Sequence, residues 1–246
     1  MLVTAATRLI LLDIEGTTSS IRFVTEVMFP FVRSHLCEFL KAEWNQAGLR
    51  SALGALARDL GKGSLETWLP QEMQDEARRQ LVEKSVMQLM DRDAKTTGLK
   101  ELQGMIWRNG FESGELVAHV YADVPPALQS WKQRGLDLRI YSSGSIGAQK
   151  LFFGHSIAGN LLPLFSNHYD TKTGGKKDPD SYQRIAVDAG LLPAEILFVS
   201  DVSDELSAAS ECGFQVALSI RPDNPPQPDS TSFVEIRKFS DIRFPD

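Results

Sequence analysis

The run Leu9-Ile10-Leu11-Leu12-Asp13-Ile14-Glu15-Gly16-Thr17-Thr18 decides how this chain reads. Four apolar residues lead directly into two carboxylates, a glycine and two hydroxyls. A short unbroken apolar run closed by a turn signal reads as a strand buried on both faces. Parallel sheets make such strands because helices cover both sides. In those folds ligands bind just beyond the carboxyl ends of the strands. Asp13 stands at such an end. Gly16 permits a sharp turn and a close backbone approach, and the N–H groups of Gly16 and Thr17 are placed to face an anion.

This arrangement suits phosphoryl transfer. A strand-end carboxylate attacks phosphorus and carries an aspartyl-phosphate. A second acid two residues later protonates the leaving oxygen and then activates water. Two carboxylates this close raise one another's pKa, so a cation is needed to keep the nucleophile ionised. Magnesium fits, since it takes one or two carboxylates and keeps waters and phosphate oxygens in its shell. Taken alone, Asp13 and Glu15 also read as the start of a loop and a helix cap.

Outward from this stretch, the 246 residues suffice for one large α/β domain or a core with a smaller insert. Apolar residues are 42% and charged residues 24%, an ordinary balance for a soluble globular protein. The net charge of −6 and pI near 5.3 argue against a nucleic-acid partner, which calls for a basic face. No apolar run approaches the ~20 residues of a membrane span. The start, Met1 to Arg8, lacks the charge order of a signal peptide. A cytoplasmic protein is expected, and a monomer, because no heptads are present. Cys37 and Cys212 stand far apart, against a disulfide framework or a structural zinc site.

Helical spacing dominates after Thr18. Phe31, Val32, His35, Leu36, Phe39 and Leu40 share one face, with Pro30 in the first turn. Further helices are expected within Leu49 to Leu60, from about Gln71 to Met90, and after Thr97-Gly98. Trp107, Arg108 and Glu112 in this block are candidates to line a substrate, although Trp107 at helical spacing with Ile106 also reads as core. The α/β pattern resumes near Tyr121. Strands are expected over Leu136 to Tyr141, Ile196 to Val199 and Gln215 to Ile220. Asp178 and Pro179 start a helix that Gly190 ends. A loop covers Arg221 to Pro228. The fold class is therefore α/β, a doubly wound parallel sheet with an inserted all-helical cap. Residues 1–20 and 115–246 are assigned to the core and 21–114 to the cap.

Four polar groups follow or flank the apolar runs. Asp13 and Glu15 follow the first, Ser142 and Ser143 the second, and Asp201 the third long strand, while Lys176 precedes a returning helix. In a parallel sheet these strand ends share one edge. Singly, each has an ordinary reading as a turn, a solvated lysine or a helix cap. Their order makes coincidence a poor explanation.

Asp-x-acid-Gly-Thr, strand-end Ser-Ser-Gly, loop lysine and strand-end Asp resemble the haloacid dehalogenase superfamily of phosphatases. Further stretches resemble its enolase-phosphatase branch of methionine salvage. They are Ala148-Gln149-Lys150-Leu151, Phe153-Gly154-His155-Ser156, Phe198-Val199-Ser200-Asp201-Val202, Arg221-Pro222, Leu102 to Trp107 and Tyr121 to Pro125. Asp-x-Glu in place of Asp-x-Asp is typical of that branch. The resemblance implies a Rossmann-like core and one magnesium ion per chain. It implies enolisation of 2,3-diketo-5-methylthiopentyl-1-phosphate, then hydrolysis to an acireductone. Asp13 would match the nucleophile and a metal ligand, and Glu15 the second acid and a metal-site group. Ser142, Ser143 and Lys176 would bind substrate, and Asp201 would hold magnesium. Relatives often carry a proline after the lysine; here Lys177 stands in that place, so Lys176 is preferred. A general small-metabolite phosphatase and a catalytically silent phosphate-binding protein are the alternatives.

Overall fold

The computed structural model describes residues 3–226 and 233–245. Met1, Leu2, Gln227 and Pro228 of the stretches discussed above therefore lie outside the described residues. The chain folds as two compact units, one of Met1–Thr25 with Val117–Asp246 and one of Glu26–Leu116.

The first unit is built on a parallel sheet. Its strands are β1 (Leu9–Leu12), β2 (Asp137–Tyr141), β3 (Asn167–Tyr169), β4 (Ile196–Ser200), β5 (Gln215–Ser219) and β6 (Glu235–Ile236), ordered β3-β2-β1-β4-β5-β6. All its pairings are parallel, with Leu12 beside Ile140 on one side and Val199 on the other. The order reverses at β1 and β4, which creates the switch point where such sheets bind ligands. All four β1 residues and the four apolar residues of β4 are buried, as continuous apolar runs require, and Ser200 at the end of β4 is buried with them. β3 was not legible in advance, because Asn167-His168-Tyr169 shows no apolar alternation. Leu162–Leu164, within the apolar stretch before it, is a 3-10 turn.

The second unit is all helical: α1 (Phe29–Glu43), α2 (Ala47–Asp59), α3 (Leu65–Trp68), α4 (Asp75–Asp91) and α5 (Thr97–Ser113). A π-helical turn over Phe23–Met28 leads into α1, and Pro30 sits in its first turn. Trp107 belongs to this unit's core. Its Nε1–H donates to the Met28 carbonyl at 2.8 Å and its ring tilts against Phe29. Arg108 and Glu112 are exposed. Among the described residues, no helix is long and apolar enough to cross a membrane.

Among the described residues, the α-helices of the first unit are α6 (Val124–Gln133), α7 (Ile146–Gly154), α8 (Pro179–Ala189) and α9 (Ser203–Glu211). Asp178 caps α8 as its sequence suggests, with its Oδ1 accepting from the Asp180 N–H at 3.1 Å.

Gly98 shows how closely two helices of the second unit approach. A Cβ there would sit 2.2 Å from the Leu56 nitrogen and 2.5 Å from its Cα. Both are backbone atoms of α2, so no side-chain movement relieves the clash. Gly98→Ala is expected to cost about 1–3 kcal/mol through overpacking. Urea unfolding of the full chain measures it, and a wild-type midpoint would refute the close approach.

Candidate active site

Leu9 and Leu11 project into a core with Tyr141, Tyr182 and Phe198. Strand side chains alternate between faces, so Asp13 emerges in phase with that core. Its N–H donates to the Val199 carbonyl at 3.0 Å, extending the β1–β4 ladder by one residue. The Asp13 side chain is only 6% exposed. Oδ1 accepts from the Ile14 N–H at 2.8 Å and lies 2.8 Å from Lys176 Nζ.

Lys176 bridges two carboxylates, since its Nζ is also 2.6 Å from Glu205 Oε2. Burial by itself would lower the ammonium's pKa. The Asp13 and Glu205 charges outweigh burial and raise it above the ordinary lysine value. The loop that presents Lys176 is held by two buried tyrosines. Tyr141 OH donates to the Gly174 carbonyl at 3.0 Å, and Tyr182 OH to the Lys176 carbonyl at 2.6 Å.

Glu205 was missed as a site residue. In sequence it is an acid in the first turn of a helix, an ordinary place for one. Its signal is the spacing of four from Asp201, which brings it back over the end of β4. Burial, then the Asp13 charge, raises its pKa. Ser200 Oγ lies 2.8 Å from Glu205 Oε2 and 3.4 Å from Asp13 Oδ2. A hydroxyl has one proton to donate, and the shorter contact takes it. Asp13 Oδ2 is thus the less engaged oxygen of that carboxylate.

Asp201 packs on the turn after β1. A Cβ on Gly16 would lie 2.3 Å from Asp201 Oδ2, and Gly16 itself has φ +66°. Only glycine meets both demands without strain. The same turn is fastened from β5 and the loop after it. The Gly16 carbonyl accepts from Ser219 Oγ at 3.1 Å and from Asn224 Nδ2 at 3.0 Å. Arg221 Nε donates to the Thr17 carbonyl at 3.1 Å while its guanidinium clamps Asp123 through two nitrogens, at 2.9 and 3.1 Å. No short motif announces these distant contacts.

Ser142 and Ser143 follow β2, the strand next to β1. Ser142 is buried, its N–H donates to the Tyr169 carbonyl at 3.2 Å, and its Oγ accepts from the Gly144 N–H at 3.3 Å. Its hydroxyl is therefore engaged within its own turn rather than with Asp13. Glu15 is partly exposed, and its backbone bridges to Ser19.

The sequence model of the haloacid dehalogenase-like hydrolase family matches residues 7–213. Enolase-phosphatase E1 of Stenotrophomonas maltophilia (strain K279a) is 45% identical over 221 residues, 90% of each chain. The chain belongs to the enolase-phosphatase E1 family of haloacid dehalogenase-like hydrolases. Enolase-phosphatase E1 of Aquifex aeolicus is 42% identical over 233 residues, 95% of this chain and 97% of that one. The crystal structure of the UTR4 protein of Saccharomyces cerevisiae superposes with a TM-score of 0.76 at 32% identity. It covers 94% of this chain and 98% of that chain.

Hydrolases of this family are generally magnesium-dependent. Among the described residues, no cluster of three His, Cys, Asp or Glu side chains is arranged to hold a metal by itself. Magnesium needs only one or two carboxylates when waters and phosphate oxygens fill its shell. The chemistry here meets that demand. Burial, then the charge of Asp13, pushes the Asp201 carboxyl up to about 7. A buried carboxyl whose ionised form a neighbouring carboxylate disfavours gains from a cation beside it.

Proposed function

We propose that this chain is a magnesium-dependent bifunctional enolase-phosphatase. It enolises 2,3-diketo-5-methylthiopentyl-1-phosphate and then hydrolyses the phosphate ester. The product is the acireductone 1,2-dihydroxy-3-keto-5-methylthiopentene. The relatives' names pair an enolase with a phosphatase, and the substrate is the one that the motif resemblance implies. The observation that carries the reaction to this chain is the buried Lys176, paired with Asp13 at the switch point of the sheet.

Asp13 is the nucleophile. Its oxygen attacks phosphorus, the ester P–O bond breaks, and Glu15 gives a proton to the departing oxygen. Glu15 then takes a proton from water. That water attacks the aspartyl-phosphate, releases phosphate and restores Asp13. Lys176, fixed and charged, offsets the phosphate charge throughout. Ser142 and Ser143 bind the substrate. The Asp13 and Asp201 carboxylates and the main chain of Glu15 would hold one magnesium ion, which screens the carboxylates and polarises the substrate carbonyl when bound. We read the inserted helical unit, Glu26–Leu116, as the cap. We also read the protein as a cytoplasmic monomer.

The test uses purified protein, magnesium and the diketo phosphate, with ultraviolet absorbance and phosphate release followed together. An enol chromophore is expected with or before phosphate, and both signals should vanish on chelation. Phosphate without enol would return the chain to the general phosphatases. No turnover of any ester would leave a phosphate-binding protein.

A further inference from the structure

Gln149 on α7 spends its whole side chain on three bonds inside the first unit. Its Nε2 donates to the Gly144 carbonyl and to the Tyr169 carbonyl, each at 2.8 Å. With both amide protons so used, Oε1 must be the acceptor of the remaining contact, 3.2 Å from His168 Nδ1. His168 therefore carries its proton on Nδ1 and donates it. Burial, with Lys150 adding to it, holds the imidazole's pKa down to about 4. The ring thus stays neutral near pH 7, and its buried Nε2 has no hydrogen-bond partner.

The two carbonyls that Gln149 binds are not arbitrary. Gly144 lies in the turn that follows Ser142 and Ser143. The Tyr169 carbonyl ends β3 and also receives the Ser142 N–H. Gln149 therefore ties the turn to the neighbouring strand at the residue that anchors Ser142. Peptide units are planar and trans here. Holding the Gly144 carbonyl toward Gln149 accordingly directs the Ser145 N–H away from it. An apolar side chain at 149 would leave two carbonyls without these donors and the turn without this constraint. The cost of so buried an arrangement makes sense if the turn must keep one conformation.

We propose that Gln149 and His168 form a positioning pair, which holds the Ser142-Ser143-Gly144 turn in the conformation that binds the substrate's phosphate. Neither residue touches the substrate. The inference rests on the phosphatase reading above and adds to it the residues that set its binding turn.

Four full-length proteins test it with magnesium present: wild type, Gln149→Leu, His168→Leu and His168→Asn. The readouts are KM for p-nitrophenyl phosphate, Ki for inorganic phosphate, kcat and the thermal midpoint. Gln149→Leu should raise KM and Ki by about ten- to a hundredfold, as expected for a displaced binding group. His168→Leu should shift both in the same direction by less. His168→Asn should return both to wild type, because its amide N–H takes the place of the Nδ1–H. Unchanged KM and Ki in both leucine variants, with activity lost only in step with the folded fraction, would overturn the pairing. So would an asparagine variant as impaired as the leucine one. If Gln149→Leu does not fold, the two His168 variants decide. A wild-type protein that hydrolyses no ester and binds no phosphate would overturn the phosphatase reading itself, and this proposal with it.

Discussion

Asp13→Asn should lower turnover by about four orders of magnitude or more, the scale on which removal of a covalent nucleophile is felt. The amide is the same size as the carboxylate, so the backbone bond to Val199 and the Ile14 contact have no reason to change. What disappears is the anionic oxygen that forms the new bond to phosphorus. Lys176 keeps a carboxylate partner in Glu205, so the fold should survive. Phosphate release, measured beside circular dichroism and a thermal midpoint, separates the two effects. Asp13→Ala serves as a control that cannot revert by deamidation. Activity above about one part in a hundred of wild type would be incompatible with a covalent nucleophile at this position.

The second large effect is expected at Lys176. Lys176→Met keeps much of the side chain's length and removes only the charge. It leaves Asp13 and Glu205 buried without the cation that bridges them. Removing one partner of a buried ion pair costs about 3–5 kcal/mol. The loss should depend on pH in a definite direction. Burial and the Asp13 charge already raise the pKa of Glu205, and without Lys176 only the Ser200 hydrogen bond opposes them there. A carboxyl raised in the folded state favours folding when protonated and loses that contribution as pH rises through its folded value. The gap between variant and wild type should therefore be wide at pH 8 and narrower at pH 6. Urea unfolding at the two pH values measures it. A gap under about 1 kcal/mol, the range of exposed pairs, would mean that the bridge is not the buried contact described. Turnover should also fall, because the phosphate loses its fixed counter-charge.

Much of this molecule was legible in the sequence, for reasons that can be named. β1 and β4 are buried on both faces, so each is written as an unbroken apolar run with an acid at its end. Asp178 and Pro179 announce α8 through capping chemistry alone. Where a strand lies at the edge of the sheet the signal fades, and β3 carries only Asn167-His168-Tyr169. α7 was also not read as a helix, since Gly147 interrupts a short segment of low amphipathicity. Asp13 and Asp201 were readable because each follows an apolar run, and Lys176 because it stands in a Gly-rich loop before a returning helix. The residues that hold the site in place were not. Glu205, Ser219, Arg221 and Asn224 meet Lys176, Gly16 and Thr17 only through tertiary structure. Apart from the spacing of four between Asp201 and Glu205, their places along the chain carry no trace of that meeting.

The register of the sheet also sets an order of events during synthesis. Leu9 lies between Asp137 and Ile196. When β1 leaves the ribosome, neither of its neighbours exists. The whole segment Glu26–Leu116 is made before β2 appears, and β4 comes later still. That segment is continuous, so its helices find their partners locally and early, whereas β1 depends on non-local pairing, which is slow to form. The nascent chain thus carries four bare apolar residues, with Asp13 beside them, through more than half of its own translation. An unpaired apolar strand is the kind of surface that makes partly made chains aggregate. The proposed nucleophile and a segment that needs protection during synthesis thus belong to the same stretch.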